Sequence, residues 1–209
     1  MSQFFYIHPD NPQPRLIKQA VEMVHKGAVI VYPTDSSYAL GCHLDDKAAV
    51  DRIRQIREVD ERHHLTLVCR DLSELAAFAK VDNAQFRLIK GCTPGPFTFI
   101  PNATRDVPRR LVHPKRLTIG LRVPDNAVAQ ALLQELNAPL LSSTLIMPGD
   151  DMALNDPEEI RDRLEHQVDL ILNAGSCEMD STTVIDLTGD EPVLLRRGRG
   201  DVSSLGLAE

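Results

Sequence analysis

The sequence predicts a single α/β domain built on a mixed β-sheet. Segments with the 3.6-residue period of helices alternate irregularly with short apolar segments typical of strands, and some late strands follow one another directly. No linker in the 209 residues is long enough to separate two domains. The whole range 1–209 is therefore expected to form one domain, with 1–13 as an N-terminal extension and 198–209 as a loose tail.

The helices are predicted from capping residues and periodicity. Pro14 suits a first helical position, and the apolar residues that follow it recur with helical spacing until Gly27. Asp46 and Asn126 are expected to cap helices, and Asp156 precedes a proline and two glutamates at another helix start. The predicted helices start at Pro14, Asp46, Leu72, Asp82, Asn126 and Asp156.

The strands are predicted from β-branched and apolar runs. Val29-Ile30-Val31 indicates a strand that is buried on both faces, and Pro33 ends it because proline cannot donate to the ladder. The segment 92–96 is a turn and 105–117 a loop, since both contain prolines. The predicted strands are 3–7, 28–32, 65–69, 97–100, 118–123, 139–143, 168–172, 183–187 and 193–196.

The charge distribution favours a small phosphate-bearing ligand over nucleic acid in general. The net charge of −7 disfavours a dedicated nucleic-acid binder, and we expect no DNA binding. Basic residues nevertheless concentrate between positions 105 and 122 and again between 196 and 199. If they converge they form a phosphate site; if they do not, they are solvated surface charges.

Other classes of protein are disfavoured by composition. Four cysteines without a C-x-x-C pair argue against zinc and for thiols in a reducing compartment, so we expect a cytoplasmic protein. The seven histidines are dispersed, and we expect no transition metal. No apolar run approaches the ~20 residues that span a bilayer, and the N-terminus is unlike a signal peptide.

The segment from Thr34 to Tyr38 places three aliphatic hydroxyls, one carboxylate and one phenol at the end of the buried strand. Ligands of open α/β sheets usually bind at that edge, although an ordinary turn would use the same residues. Neither of the two standard phosphate loops, G-x-G-x-x-G or G-x-x-x-x-G-K-[ST], is present.

Five ordered motifs resemble those of the YrdC/YciO family, which includes the threonylcarbamoyl-AMP synthases. Pro33–Gly41 resembles P-T-D-T-x-Y-G-L-G, and the segment 63–67 together with the N-terminal extension resembles the YciO branch. The other motifs are Pro94–Ile100, Thr118–Pro124, Thr182–Leu187 and Leu195–Gly198. The resemblance implies a twisted open mixed sheet with flanking helices and a large, concave, positively charged cavity.

The resemblance also implies a nucleotidyltransferase. Such enzymes convert ATP, L-threonine and bicarbonate to threonylcarbamoyl-AMP and pyrophosphate, for threonylcarbamoyl-adenosine synthesis in tRNA; Mg2+ would enter with ATP. By position, Thr34 and Tyr38 would lie against threonine, while Arg122, Arg196 and Thr182 would face the nucleotide. Thr118 and Ser142 would line the same cavity. Each side chain also has a structural alternative, namely a satisfied hydroxyl or an exposed or ion-paired arginine.

Departures from the synthase motifs predict weak or altered activity. Arg57 replaces the first lysine of a K-x-R motif, Val59 replaces its arginine and His63 replaces a later lysine. Thr144-Leu145-Ile146 replaces S-x-N. Each lost charged hydrogen bond removes about 1.5–3 kcal/mol of binding. The alternative function is a double-stranded RNA or tRNA-binding module without synthase activity. We further expect Arg122→Ala to abolish ligand binding without unfolding the protein.

Overall fold

The structure is a computed structural model that describes residues 1–207, in which twelve strands and six helices are present. The strands are β1 (Gln3–Tyr6), β2 (Ile30–Tyr32), β3 (Ala39–His43), β4 (Thr66–Val68), β5 (Ala79–Lys80), β6 (Phe97–Ile100), β7 (Asn102–Ala103), β8 (Gly120–Arg122), β9 (Leu140–Thr144), β10 (Leu170–Asn173), β11 (Thr183–Asp186) and β12 (Val193–Arg196). The helices are α1 (Pro14–His25), α2 (Lys47–Arg57), α3 (Leu72–Phe78), α4 (Asn83–Cys92), α5 (Ala127–Leu136) and α6 (Pro157–Leu164).

Ten of these strands form one mixed sheet in the order β1-β10-β2-β3-β9-β4-β8-β6-β11-β12. Parallel pairs such as β4 with β8 alternate with antiparallel pairs such as β3 with β9. The mixed sheet predicted from the irregular alternation of elements is therefore confirmed. The short strands β5 and β7 pair with each other and form a separate two-stranded antiparallel sheet.

Each face of the sheet carries its own apolar layer. On one face, Ile17 of α1 and Leu132 of α5 belong to the same cluster as Ile30 and Tyr32 of β2. On the other face, Ile53 of α2 and helices α3, α4 and α6 pack against alternate residues of the strands. Because successive strand residues point to opposite faces, neighbouring positions on one strand serve different layers.

The predicted capping residues perform that role. The side chains of Asp46 and Asn126 accept hydrogen bonds from the backbone N–H of Ala49 and Ala129, at 2.9 and 3.0 Å. Asp82 forms a reciprocal capping box with Gln85. These bonds satisfy N–H groups that a helix start leaves unpaired, which is why the helix starts could be located without coordinates.

Strand β3 was not predicted, because Ala39–His43 contains small residues with low strand propensity. It pairs with both β2 and β9 and is almost wholly buried. A Cβ atom on Gly41 would lie 2.8 Å from the ring of Tyr32. Gly41 is therefore required by the aromatic ring on the neighbouring strand, and tertiary packing overrides propensity here.

The two ends of the chain contribute to the sheet. The predicted N-terminal strand is the edge strand β1, parallel to β10. Beyond β12, the backbone N–H of Gly198 donates to the Thr183 hydroxyl at 3.1 Å, and that hydroxyl donates to the carbonyl of Gly200 at 2.7 Å. This part of the chain is packed, contrary to the prediction of a loose tail from 198; residues 208 and 209 lie outside the described residues. Within 1–207, no helix is long and apolar enough to cross a membrane.

The close approach at Gly198 gives a stability test. Its Cβ atom would overlap the backbone of Ser181 and Thr182, so Gly198→Ala should lower the free energy of unfolding by about 1–3 kcal/mol. Gly91 lies in α4 with nothing within 4 Å of its Cβ position, so the control Gly91→Ala should raise it by about 0.5–1 kcal/mol. Urea unfolding measures both, and equal stabilities of the two variants would contradict the packing described.

Candidate functional site

Arg57 ends α2 and reaches the end of β9. Its Nη1 donates to the Ser143 hydroxyl at 3.1 Å and to the carbonyl oxygen of Thr144. Its Nε is buried without a hydrogen-bond partner. Burial lowers the pKa of Arg57 from its usual value, which means that the charged guanidinium is destabilised where it lies.

Arg196, at the end of β12, also directs its guanidinium group to neutral oxygens. Its Nε and Nη2 donate to the carbonyl oxygen of Thr182 at 3.1 and 2.9 Å. The Thr182 hydroxyl is in turn 2.8 Å from that of Thr98. Partial burial lowers the pKa of Arg196 as well.

His63 lies within the electrostatic reach of both guanidinium groups. Desolvation lowers its pKa, and Arg57 and Arg196 lower it further against an opposing effect of Asp60. His63 is therefore predominantly neutral at pH 7. An anion bound near it would favour its protonated form.

The next residue, His64, connects this region to Thr118. Its Nε2 is 2.8 Å from the Thr118 hydroxyl, and its ring stacks on that of His113 with centroids 4.9 Å apart. Burial lowers the pKa of His64, followed by the charge of His113. Thr118 therefore adjoins the site, but its hydroxyl is bonded to a side chain that sequence reasoning had not included.

We name the residues around His63 the Arg57–Arg196 site, because the charges of both guanidinium groups lower the pKa of His63. Neither guanidinium has a carboxylate within 4.0 Å in residues 1–207. Two cations that contact only neutral oxygens can bind an anion such as a phosphate or carboxylate. The site consists of Arg57, His63, Ser143, Thr144, Thr182 and Arg196.

Arg122 is not part of this site. Its neighbours along the chain, Leu121 and Val123, belong to the α2 face of the sheet, while its register partner Val68 belongs to the α1 face. Arg122 forms an ion pair with Asp35, and its Nη1 donates to the Ser36 hydroxyl at 3.3 Å. The nucleotide contact of Arg122 stays a prediction, and in this structure its charge is compensated by Asp35.

Ser142 also faces away from the Arg57–Arg196 site. Its hydroxyl is 2.8 Å from that of Tyr32 and donates to the carbonyl of Leu40 at 2.8 Å. Burial raises the pKa of Tyr32 to about 12, so this pair stays neutral. The predicted role of Ser142 in lining the cavity stays a prediction; the contact with Arg57 is made by Ser143, the next residue of β9.

Thr34 and Tyr38 use their hydroxyl groups internally. The Thr34 hydroxyl donates to the carbonyl of Ser37 at 2.6 Å and accepts from the backbone N–H of Ser36 and Ser37. The Tyr38 hydroxyl donates to the carbonyl of Gly175 at 2.6 Å and accepts from the N–H of Ala174. Both side chains are buried, so the structural alternative applies to each in this state.

Sequence reasoning did not single out Ser143, which belongs to the site, or His64 and Thr98, which lie beside site residues. The signal for Ser143 was available, because it alternates with Leu141 and Leu145 on the face that α2 covers. The contacts of His64 and Thr98 join segments 54 and 84 residues apart, and no local pattern predicts them. Among residues 1–207, no group of three or more metal-ligating side chains is placed to hold a metal ion.

The ion pair of Asp35 and Arg122 can be tested by stability. The two side chains are only 10% and 7% exposed, so removing one charge leaves the other buried. Arg122→Met or Asp35→Leu should each cost about 3–5 kcal/mol in urea unfolding, and the double variant less than their sum. Lys47→Met, which breaks the exposed pair with Asp51, should cost under about 1 kcal/mol. Unchanged stability of Arg122→Met, with loss of ATP binding, would restore the ligand role predicted from the sequence.

The comparisons with known proteins agree with this fold. The Sua5/YciO/YrdC family model, described as telomere recombination, matches residues 22–198. The uncharacterized protein YciO of Escherichia coli K12 is 61% identical over 202 residues, which cover 97% of this chain and 98% of that protein. An uncharacterized protein of Haemophilus influenzae is 59% identical over 204 residues, covering 97% and 99%.

Solved structures give the same result. The crystal structure of E. coli YciO superposes with a TM-score of 0.94 at 60% identity, covering 97% of this chain and 98% of that one. P. abyssi Sua5, complexed with L-threonine, superposes with a TM-score of 0.86 at 24% identity, covering 94% of this chain and 58% of that one. The family model matches most of this chain, and a relative is 61% identical over nearly the full length of both proteins. The chain therefore belongs to the Sua5/YciO/YrdC family.

Proposed function

We propose that the protein binds ATP and L-threonine at the Arg57–Arg196 site and acts as a YciO-type relative of L-threonylcarbamoyladenylate synthase, with weak or altered activity. Family membership supports the class of reaction, and the L-threonine complex of the related P. abyssi Sua5 supports threonine as a ligand. The product would supply threonylcarbamoyl-adenosine modification of tRNA. Four free cysteines suit the reducing cytoplasm in which we propose that it works.

One observation carries the proposal: Arg57, which is partly buried, and Arg196, which is exposed, both direct their guanidinium groups to neutral oxygens, and desolvation lowers the pKa of each. Their present partners are carbonyl and hydroxyl oxygens, which do not neutralise a positive charge. A phosphate group between them would supply that charge and accept paired hydrogen bonds from each planar guanidinium. The site is therefore more stable with a bound anion than without one.

In the proposed reaction, threonine and bicarbonate form a carbamate, and one carbamate oxygen attacks the α-phosphorus of ATP. Pyrophosphate leaves, and the overall products are threonylcarbamoyl-AMP, pyrophosphate and water. Arg57 and Arg196 would orient the phosphates and stabilise the charge that develops on them. Mg2+ would arrive with ATP, held mostly by phosphate oxygens and water.

The hydroxyl groups proposed to contact threonine already form hydrogen bonds within the protein, and the residues proposed to contact phosphate lack some of the synthases' polar groups. Thr34 and Tyr38 can contact a bound amino acid only by exchanging a backbone hydrogen bond for a ligand hydrogen bond. On the phosphate side, Val59 and Ile146 supply no polar group, and His63 is mostly uncharged at pH 7. These differences are the physical basis for proposing weak or altered turnover.

RNA binding without synthase activity is the second candidate. Its support is the segment 102–117, where Arg105, Arg109 and Arg116 are exposed and have no carboxylate within 4.0 Å in the part of the chain that the structure describes. An RNA module would bind duplex RNA with an affinity that falls linearly with salt on logarithmic axes, and it would release no pyrophosphate.

Pyrophosphate release tests the proposal directly. The purified protein, given ATP, L-threonine and bicarbonate with Mg2+, should release pyrophosphate only when all three substrates are present. Arg57→Ala and Arg196→Ala should each reduce the rate at least tenfold, since each removes a charged contact worth about 1.5–3 kcal/mol. Arg87, exposed on α4, provides the control Arg87→Ala, which should keep the rate. Salt-dependent RNA binding without any ATP binding would favour the second candidate.

Restoring the missing charges should raise the activity. In Val59→Arg with His63→Lys, two full positive charges return to positions where the synthases carry them, whereas the native His63 has a lowered pKa. We expect pyrophosphate release to increase at least tenfold at saturating threonine. The matched variant Val59→Leu with His63→Gln changes the same positions without charge and should give no increase. If the charged variant is no faster than the uncharged one, the departures do not limit turnover.

A further inference from the structure

The N-terminal strand β1 leaves backbone hydrogen-bonding groups unpaired at one edge of the main sheet. It is the first strand of the ten-stranded order and pairs only with β10. The N–H groups of Gln3 and Ile7 donate to backbone carbonyls in or next to β10, at 2.9 and 2.8 Å. Because alternate residues of a strand direct their N–H and C=O groups to the same side, Phe4 and Tyr6 direct theirs away from β10, where no strand of residues 1–207 lies.

Aromatic side chains are concentrated on the same strand. Phe4, Phe5 and Tyr6 are consecutive, although the whole chain has only six phenylalanines and three tyrosines. Tyr6 is 66% exposed, and its ring lies edge-on to that of Phe4 with centroids 5.2 Å apart. The guanidinium carbon of Arg161 lies 4.9 Å from the centroid of the Phe4 ring. Phe4, Tyr6 and Arg161 therefore form an aromatic and cationic surface beside the open edge.

The opposite edge strand, β12, has features that prevent edge-to-edge association. It follows Pro192, ends at Arg196 before a second arginine and pairs with β11 through a bulge. Prolines, charged side chains and bulges are the usual means by which proteins block an exposed edge. Gln3–Tyr6 contains neither a proline nor a charged residue, so nothing within β1 opposes pairing with another strand.

We propose that β1 is a self-association surface, at which two copies of this chain pair antiparallel about a two-fold axis. In the proposed register, Phe4 of each copy lies opposite Tyr6 of the other, and the two Phe5 residues lie opposite each other. Phe4 and Tyr6 are the residues whose backbone groups face outward. Each Phe4–Tyr6 pair can therefore exchange two N–H to C=O hydrogen bonds.

The donors on either side of Phe4 and Tyr6 select this register. The N–H of Ser2 already donates to the carbonyl of Glu165 at 2.7 Å, and the N–H of His8 donates to the side chain of Gln13 at 3.0 Å. A register shifted by two residues in either direction would need one of these occupied donors. It would therefore form fewer hydrogen bonds between the copies.

A second copy fits this edge better than an unrelated extended peptide, because it brings complementary side chains. Phe4 and Tyr6 point to one face of the sheet, so in the dimer the four rings of the two copies form one continuous strip. Cross-strand aromatic pairs stabilise antiparallel strands. The interface joins two ten-stranded sheets through one short strand from each, so we expect a dimer of micromolar affinity.

Sedimentation equilibrium of the full-length protein tests the association. With rising concentration, the wild type should shift from the 23.2 kDa of one chain towards twice that mass. Tyr6→Lys places a positive charge beside Arg161 of the second copy and should raise the dissociation constant at least tenfold. Because Tyr6 is exposed, this variant should stay folded, which urea unfolding checks. The control Val193→Lys changes a 42% exposed residue of β12 and should dimerise as the wild type does.

A disulfide cross-link tests the register. In Phe5→Cys the two new thiols lie in a non-hydrogen-bonded pair, whose Cα atoms are about 4.5 Å apart, a separation that a disulfide can span. Oxidised glutathione should therefore convert this variant to covalent dimers. Gln3→Cys, two residues away on the same face, should stay uncrosslinked. Both variants also carry Cys177→Ser, because the other native thiols are buried.

Three outcomes overturn the inference. A wild type that stays monomeric throughout the micromolar range excludes self-pairing, whether or not an added extended peptide binds to β1. A dimer that survives Tyr6→Lys, or one that Val193→Lys abolishes, would assign the interface to another surface. Cross-linking of Gln3→Cys in place of Phe5→Cys would exclude the register. None of these measurements involves pyrophosphate release, so failure here is distinguishable from failure of the proposed function.

Discussion

The buried ion pair between Asp35 and Arg122 is the constraint on which the arrangement of the polar segments depends. It joins the chain after β2 to the end of β8, although three strands lie between those two in the sheet. Asp35 also accepts from the backbone N–H of Asp125 at 2.9 Å, so one carboxylate fixes two segments. Because both charges are desolvated, removing either one would leave the other buried without a counter-charge. The hydroxyl-rich segment 34–38 is thereby held in place, with its own groups paired internally.

The alternation of side chains along the strands decides which polar residues meet. Ser142 and Ser143 are neighbours, yet the first bonds to Tyr32 beneath α1 and α5, and the second to Arg57 at the end of α2. Arg122 is separated from Arg57 for the same reason. The Arg57–Arg196 site therefore draws on a helix terminus, a loop and three strand ends. Within residues 1–207, its two guanidinium groups have no carboxylate within 4.0 Å, whereas that of Arg122 pairs with Asp35.

Two positively charged regions of different character follow from this arrangement. At the Arg57–Arg196 site, desolvation lowers the pKa of both guanidinium groups and that of the neighbouring His63. Around the segment 102–117, the arginine side chains that bear the charge are exposed, and the positive excess comes from their number rather than from burial. A protein with a net charge of −7 can hold both, because a local field depends on the nearest charges and their dielectric surroundings.

The sequence by itself determined the elements whose causes are local, together with the family. These local causes act within a few residues: caps such as Asp46 and Asn126, the helical period after Pro14 and the β-branched run before Pro33. The five ordered motifs that indicate the family are likewise visible in the sequence alone. Only the tertiary structure decided that Ala39–His43 is a strand, that Arg122 pairs with Asp35 and that the chain after Gly198 is packed. Those outcomes depend on partners 15 to more than 80 residues away along the chain, and neither propensity nor spacing contains that information.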